Sequence, residues 1–153
     1  DQLAHWNHEA VHHAAPERVW EWLAPELETP VPEERRAAWL EAVRPNLETP
    51  AGGEVWARVC FGEMESTDGA AAEIAAADPA LWPAAETALR EHGADHGAVT
   101  ESIKAATGLK GKALFKPLRA ALTGRISGPE LAALLPLIGT ERALARIRAA
   151  QGG

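Results

Sequence analysis

Apolar side chains recur at three- and four-residue intervals through almost the whole chain, and prolines or glycines punctuate them. That period belongs to helices with one buried face. Residues 2–14 put Leu3, Trp6 and Ala10 on one stripe, and Pro16 either ends that helix or opens the next in its first turn. Glu17 to Leu23 predicts a short helix carrying Trp20. Pro30 and Pro32 bracket a turn, and Pro32 opens a helix PEERRAAWLEAV that Pro45 ends, with Trp39, Leu40 and Val43 at helical spacing. Ala51-Gly52-Gly53 predicts a break before the helix EVWARVCFGEM. Ser66 to Gly69 reads as a polar junction, and there the chain divides into two expected subdomains, 1–66 and 67–153.

The second part is punctuated more sharply. Asp78-Pro79 reads as the N-cap and first residue of a helix that Gly93 stops. Gly97 to Thr107 predicts another, stopped by Gly108, and Lys112 to Thr123 a third, stopped by Gly124, with Pro117 predicting a bend or a broken first turn. Ser127 and Glu130 form a capping-box pair around Pro129 at the start of PELAALLPLI, which Gly139 ends. Thr140 then caps ERALARIRAA, with Leu144 and Ile147 inward and Arg142, Arg146 and Arg148 toward water or a ligand. Trp6, Trp20, Trp39, Trp56 and Trp82 read as core, as do Cys60 and Met64, with Trp22 partly exposed.

Composition supports an all-α class. The 153 residues include 33 Ala but only 12 Val plus Ile and no Tyr, which disfavours a β-sandwich or barrel. A single cysteine, Cys60, excludes an internal disulfide and a Cys-rich zinc site. No apolar run approaches the roughly 20 residues that cross a bilayer, so no membrane partner is expected and the cytoplasm is the expected compartment. Charge is uneven. Residues 1–100 carry 19 acidic and 6 basic side chains, whereas 101–153 carry 3 acidic and 9 basic ones, hidden within a net charge of −7. All four lysines, Lys104, Lys110, Lys112 and Lys116, fall in one short stretch. Such a local field suits a polyanion, or equally pairs with the acidic part of the same molecule.

Two constellations carry candidate chemistry. His8-Glu9-Ala10-Val11-His12 is a literal H-E-x-x-H, which on a helix places two imidazoles on one face as zinc ligands and a glutamate to activate water. Pro16 follows one turn later, no third ligand follows at the usual spacing, and His5 and His13 read as a solvated face. A zinc-dependent hydrolase is therefore the minor reading, alongside a helical protein-interaction module built on the Trp-rich half.

The second constellation runs from Lys110 to Arg148. Gly111-Lys112-Ala113-Leu114-Phe115-Lys116-Pro117-Leu118-Arg119-Ala120-Ala121-Leu122-Thr123-Gly124 resembles a segment near the end of bacterial glutamyl-tRNA synthetases. Gly128-Pro129-Glu130-Leu131, Leu137-Ile138-Gly139 and Glu141-Arg142-Ala143-Leu144-Ala145-Arg146 continue the likeness, and Leu3, Trp6 and Asn7 resemble the family's L-x-x-W-x-N. The resemblance implies an all-helical anticodon-binding cage of two small subdomains, with tRNA as partner and no DNA. The family's nucleotide-binding signatures are absent from these residues. On that basis the chain binds rather than catalyses and needs no cofactor of its own, while ATP and Mg²⁺ belong to the catalytic part of the parent ligase.

Carried over by motif, Arg119, Gly128, Pro129 and Leu131 are the implied anticodon-binding residues. Unpaired RNA bases are read by stacking and by hydrogen bonds to their edges, and a guanidinium can do both. Lys110, Lys112, Lys116 and Arg125 are the expected contacts to the RNA backbone. Arg44-Pro45-Asn46-Leu47-Glu48-Thr49 resembles a stretch in which glutamate-specific members carry an arginine at the position of Asn46. Arginine offers donors only, which suit the terminal C of glutamate anticodons and oppose the G of glutamine anticodons. Asparagine offers a donor and an acceptor, so relaxed discrimination toward glutamine tRNA is expected, with Arg44 as the nearby substitute reader.

Overall fold

A computed structural model describes residues 14–47 and 49–152. The expected helix over 2–14, and with it Trp6 and the His8-Glu9-x-x-His12 motif, lies outside those residues apart from Ala14. Among the described residues no strand occurs, and nine α-helices follow one another: α1 (Pro16–Leu23), α2 (Arg36–Val43), α3 (Pro50–Phe61), α4 (Asp68–Ala76), α5 (Leu81–His92), α6 (His96–Thr107), α7 (Lys112–Thr123), α8 (Leu131–Ile138) and α9 (Thr140–Gly152). The fold class is all-α, as expected.

Pro16 opens α1, where its missing N–H costs nothing. The buried stripe of α1 is Val19, Trp22 and Leu23, so the two tryptophans exchange the roles expected of them. Trp22 is buried, whereas Trp20 lies on the flank, half-buried, with the Arg36 guanidinium 4.1 Å above its ring and Trp39 edge-on at 6.5 Å. The expected break at Ala51-Gly52-Gly53 does not occur. These residues form the first turn of α3, and a Cβ on Gly53 would lie 2.7 Å from Leu23 Cδ2. The glycine lets α1 and α3 approach closely and does not interrupt the helix.

The junction before α4 is shorter than expected. Thr67 Oγ1 accepts the Ala70 N–H at 3.1 Å, and Asp68 already lies in the first turn. Asp78 Oδ1 accepts the Ala80 N–H across a preceding turn, so α5 starts only at Leu81. Pro117 is buried inside α7 without ending it. No side-chain cap forms at the start of α8. Glu130 supplies only its carbonyl, accepting from Ala133 and Leu134, in place of the expected Ser127/Glu130 box. Likewise the Gly139 carbonyl starts α9, and Thr140 is already inside it.

Short, apolar α8 is the hub. Five of its eight residues are buried, and it packs against α2, α3, α6 and α9. Buried residues on both sides of 66/67, from Val19 to Ile147, form one continuous cluster. Cys60 lies within it, and burial pushes its thiol up to about 12. Met64 packs against it half-buried.

Arg146 corrects a further expectation. It is buried, and its guanidinium donates to the carbonyls of Val59 (2.6 Å), Leu122 (2.8 Å) and Gly62 (3.2 Å). Helix ends leave their last four carbonyls without intrahelical partners, and Arg146 satisfies such groups on α3 and α7 together. Arg142, exposed on α9, donates to Phe61 O at 2.9 Å. Burial, then the neighbouring Arg142 charge, lower the Arg146 pKa to about 10, which leaves it charged at neutral pH. Arg148 pairs with Glu86 at the surface.

Candidate nucleic-acid interface

On α7, Lys112, Phe115, Lys116 and Arg119 occupy one stripe, at i, i+3, i+4 and i+7, while Leu114, Pro117, Leu118 and Leu122 are buried behind it. This stripe, exposed at its lysines and half-buried at Phe115 and Arg119, faces the starts of α6 and α8. Between the three helices lies a cleft of about 340 Å³ lined by His96, Phe115, Arg119, Glu130, Leu131 and Ala132.

Arg119 is half-buried, and its loss of water lowers its pKa. Nη1 donates to Pro129 O at 2.8 Å, which tethers the arginine to the loop entering α8. Buried Thr123 knots the other end of that loop. Its hydroxyl donates to Arg119 O (2.8 Å) and Arg125 O (3.2 Å), and accepts the Arg125 N–H (3.1 Å).

The loop is moulded by the first part of the chain. At Gly124 (φ 74°) a Cβ would meet Glu65 O at 2.5 Å, and the Gly124 carbonyl accepts the Thr67 N–H at 2.9 Å. At Gly128 (φ 150°) a Cβ would lie 2.2 Å from Cη2 of Trp56. Both positions combine a backbone region that disfavours side chains with no room for one. Gly128, Pro129 and Leu131 are therefore set in place relative to Arg119, with Pro129 and Leu131 buried.

His96 and Phe115 complete the cleft. Their rings stack with centroids 6.2 Å apart and 28° between planes, and Lys104 Nζ lies 5.6 Å from the Phe115 centroid. Burial, then the Arg119 charge, lower the His96 pKa, against the raising effect of Asp95, so the imidazole is neutral at neutral pH. Lys110, Lys112 and Lys116 are exposed.

Thus the structure brings Arg119, Pro129 and Leu131 together, with Gly128 in the supporting loop, while Lys112 and Lys116 share the α7 stripe with Arg119 and Lys110 lies before that helix. Arg125 is turned elsewhere: half-buried, it lines a narrow pocket of about 60 Å³ with Glu54, Arg58 and Glu65 among its walls. Arg44 and Asn46 stand on the short turn after α2, with Asn46 exposed and the Arg44 guanidinium donating to Ala14 O. Arg44 lines a separate recess with Pro16, Leu40 and Glu41, and neither residue lines the Arg119 cleft. Among the described residues no group of three His, Cys, Asp or Glu is placed to hold a metal ion, and no helix is long and apolar enough to cross a membrane.

Sequence reasoning missed His96. Its signal is weak: a histidine at a helix start, two residues beyond Ala94, announces no partner, and only the packing of α6 beside α7 brings it to Phe115 and Arg119.

A basic, partly aromatic cleft between helix starts, framed by a loop held in shape, is a frame for a ligand bearing both phosphate and flat rings. Residues 17–151 match the anticodon binding domain family, and the chain belongs to it. Among proteins similar to it is glutamate–tRNA ligase 2 of Acidithiobacillus ferrooxidans, 48% identical over 149 residues that cover 97% of this chain and 31% of that protein. Glutamate–tRNA ligase 1 of Halorhodospira halophila is 42% identical over 151 residues, 98% of this chain and 31% of that protein. The chain thus spans about 31% of the length of these curated relatives. In fold it is similar to the crystal structure of the glutamate–tRNA synthetase from Elizabethkingia anophelis, with a TM-score of 0.75 and 21% identity, over 96% of this chain and 30% of that one.

Proposed function

We propose that this chain is the anticodon-binding region of a glutamate–tRNA ligase and that the cleft between α6, α7 and α8 receives unpaired anticodon bases. The observation that carries the reading is Arg119: half-buried, tethered through one N–H to Pro129 O, with its remaining donors available beside Leu131. Lys110, Lys112 and Lys116 supply the sequence-independent attraction to the RNA backbone. Arg125, half-buried in a separate pocket that Glu54 and Glu65 also line, contributes less than these lysines. Residues 1–66 and 67–153 act as two subdomains sharing one core, the first shaping the loop that the second presents. The ligase reaction, with ATP and Mg²⁺, belongs to the remainder of such proteins, and the chain by itself binds without catalysing. Its partner is tRNA, not DNA or a membrane, and its place is the cytoplasm, where translation occurs.

Asn46 extends the reading to specificity. Exposed on its turn, it presents both a donor and an acceptor to the last anticodon base, with Arg44 beside it, and accommodates C or G. Glutamate and glutamine tRNAs are then bound with similar affinity. Titrating both tRNAs, with anticodon variants of each, at two salt concentrations tests the whole proposal. Anticodon-dependent binding that weakens with salt supports it, and binding indifferent to the anticodon overturns it. A hundredfold preference for glutamate tRNA would overturn the Asn46 assignment alone.

A further inference from the structure

We propose that His96 is a second base-reading residue of the cleft, contributing the hydrogen-bond acceptor that Arg119 lacks. The inference rests on the anticodon-binding reading above and concerns chemistry that Arg119 alone leaves incomplete. A guanidinium has five N–H donors and no acceptor. The Watson–Crick edge of every unpaired base mixes donors with acceptors, and a base N–H brought into a partly dry site without an acceptor forfeits its hydrogen bond to water. An all-donor cleft can therefore pair the acceptors of such an edge but leaves its N–H groups without a partner.

The cleft walls offer few acceptors. The Pro129 carbonyl is engaged by Arg119. Glu130 is exposed at the mouth, where its charge opposes the approach of phosphates. The backbone oxygen of His96 takes the Thr100 hydroxyl inside α6. The His96 ring remains. It lines the cleft with Arg119, and stacking on Phe115 fixes its plane. Among the described residues no hydrogen bond engages its nitrogens. A neutral imidazole carries one donor and one acceptor, so beside Arg119 it completes a mixed pattern suited to the edge of a single base. Phe115 supports the ring and Lys104 covers the Phe115 face, so the device is built from α6 and α7 together.

The test uses the whole chain and RNA hairpins whose loops carry the glutamate anticodon or the same anticodon with each base replaced in turn. The quantity read is the ratio of dissociation constants between replaced and intact loops. His96→Phe keeps a flat ring against Phe115 but removes both nitrogens, and should cut that ratio about tenfold at one anticodon position, with helical content unchanged. His96→Asn, which keeps a donor and an acceptor, should retain most of the ratio. If His96→Phe preserves the full ratio while Arg119→Ala abolishes it, the His96 assignment is overturned and the anticodon-binding reading stands. A wild-type ratio near one at every position overturns both. Loss of the ratio in Glu130→Leu, which removes both carboxylate acceptors, with His96→Phe unaffected, transfers the acceptor to Glu130 and likewise overturns the proposal.

Discussion

Two arginine sites on neighbouring helices make opposite use of the same side chain. At the junction of α3, α7 and α9, Arg146 is buried and spends its donors on three backbone carbonyls. In the cleft, Arg119 is half-buried and one carbonyl holds it. The first guanidinium is pinned by three carbonyls and so acts as structural glue. The second is anchored enough to have a direction and unsaturated enough to bind something else. Motif spacing does not separate them, since both lie on helices among other basic residues. Partner number and burial do.

The largest effect that tests this contrast falls on stability. Arg146→Ala should cost about 3 kcal/mol, because it removes charged hydrogen bonds and strands carbonyls of two helix ends in the core. Denaturant unfolding measures this, and the fraction still folded should bind tRNA as the wild type does. Gly128→Ala comes next, at about 2 kcal/mol, since the new Cβ meets Trp56 in a backbone region it disfavours. Unlike Arg146→Ala, it should also impair anticodon-dependent binding, because the strained loop carries Pro129.

Arg119→Ala should barely move the melting temperature yet weaken binding to intact anticodon loops about tenfold, measured by titration. Lys112→Ala should weaken all RNAs alike and reduce the slope of log affinity against log salt by about one, which titrations at several salt concentrations detect. The smallest effect concerns pH. Glu54 loses hydration on partial burial, but its carboxylate accepts the Glu28 and Thr29 N–H groups (2.9 and 3.0 Å) and the Thr29 hydroxyl (2.8 Å). With the nearby Arg58 charge, these bonds hold its pKa below the usual carboxylate range. A depressed folded pKa gives stability that is present above the unfolded value and lost as pH falls through the folded one. Wild type and Glu54→Gln should therefore differ at neutral pH and converge in acid, as acid-dependent melting will show.

Much of the helical plan was legible because glycine marks it. Gly93, Gly108, Gly124 and Gly139 end their helices at positive φ, and Pro16 opens one. Helix α4 escaped notice because its Ala-rich sequence has little large apolar periodicity, and only Thr67 and Asp68 signal its start. Gly52 and Gly53 misled because a glycine that admits a neighbouring leucine looks, in sequence, like one that breaks a helix. Arg146 misled for a related reason: the carbonyls it serves belong to α3 and α7, remote in sequence. The stripe from Lys112 to Arg119 could be read from spacing, whereas its meeting with His96 needed the packing of α6.

Trp56 has one more consequence. Its indole presses on Gly128 from the early, acidic part of the chain, so the recognition loop is cast in a mould that its own neighbours do not supply. Separating the two parts at residue 66 would leave every motif residue from Arg119 to Leu131 present in the C-terminal piece, and yet deprive them of their shape. A sequence signature is in this sense only half of an instrument, and the other half is written where no signature is sought.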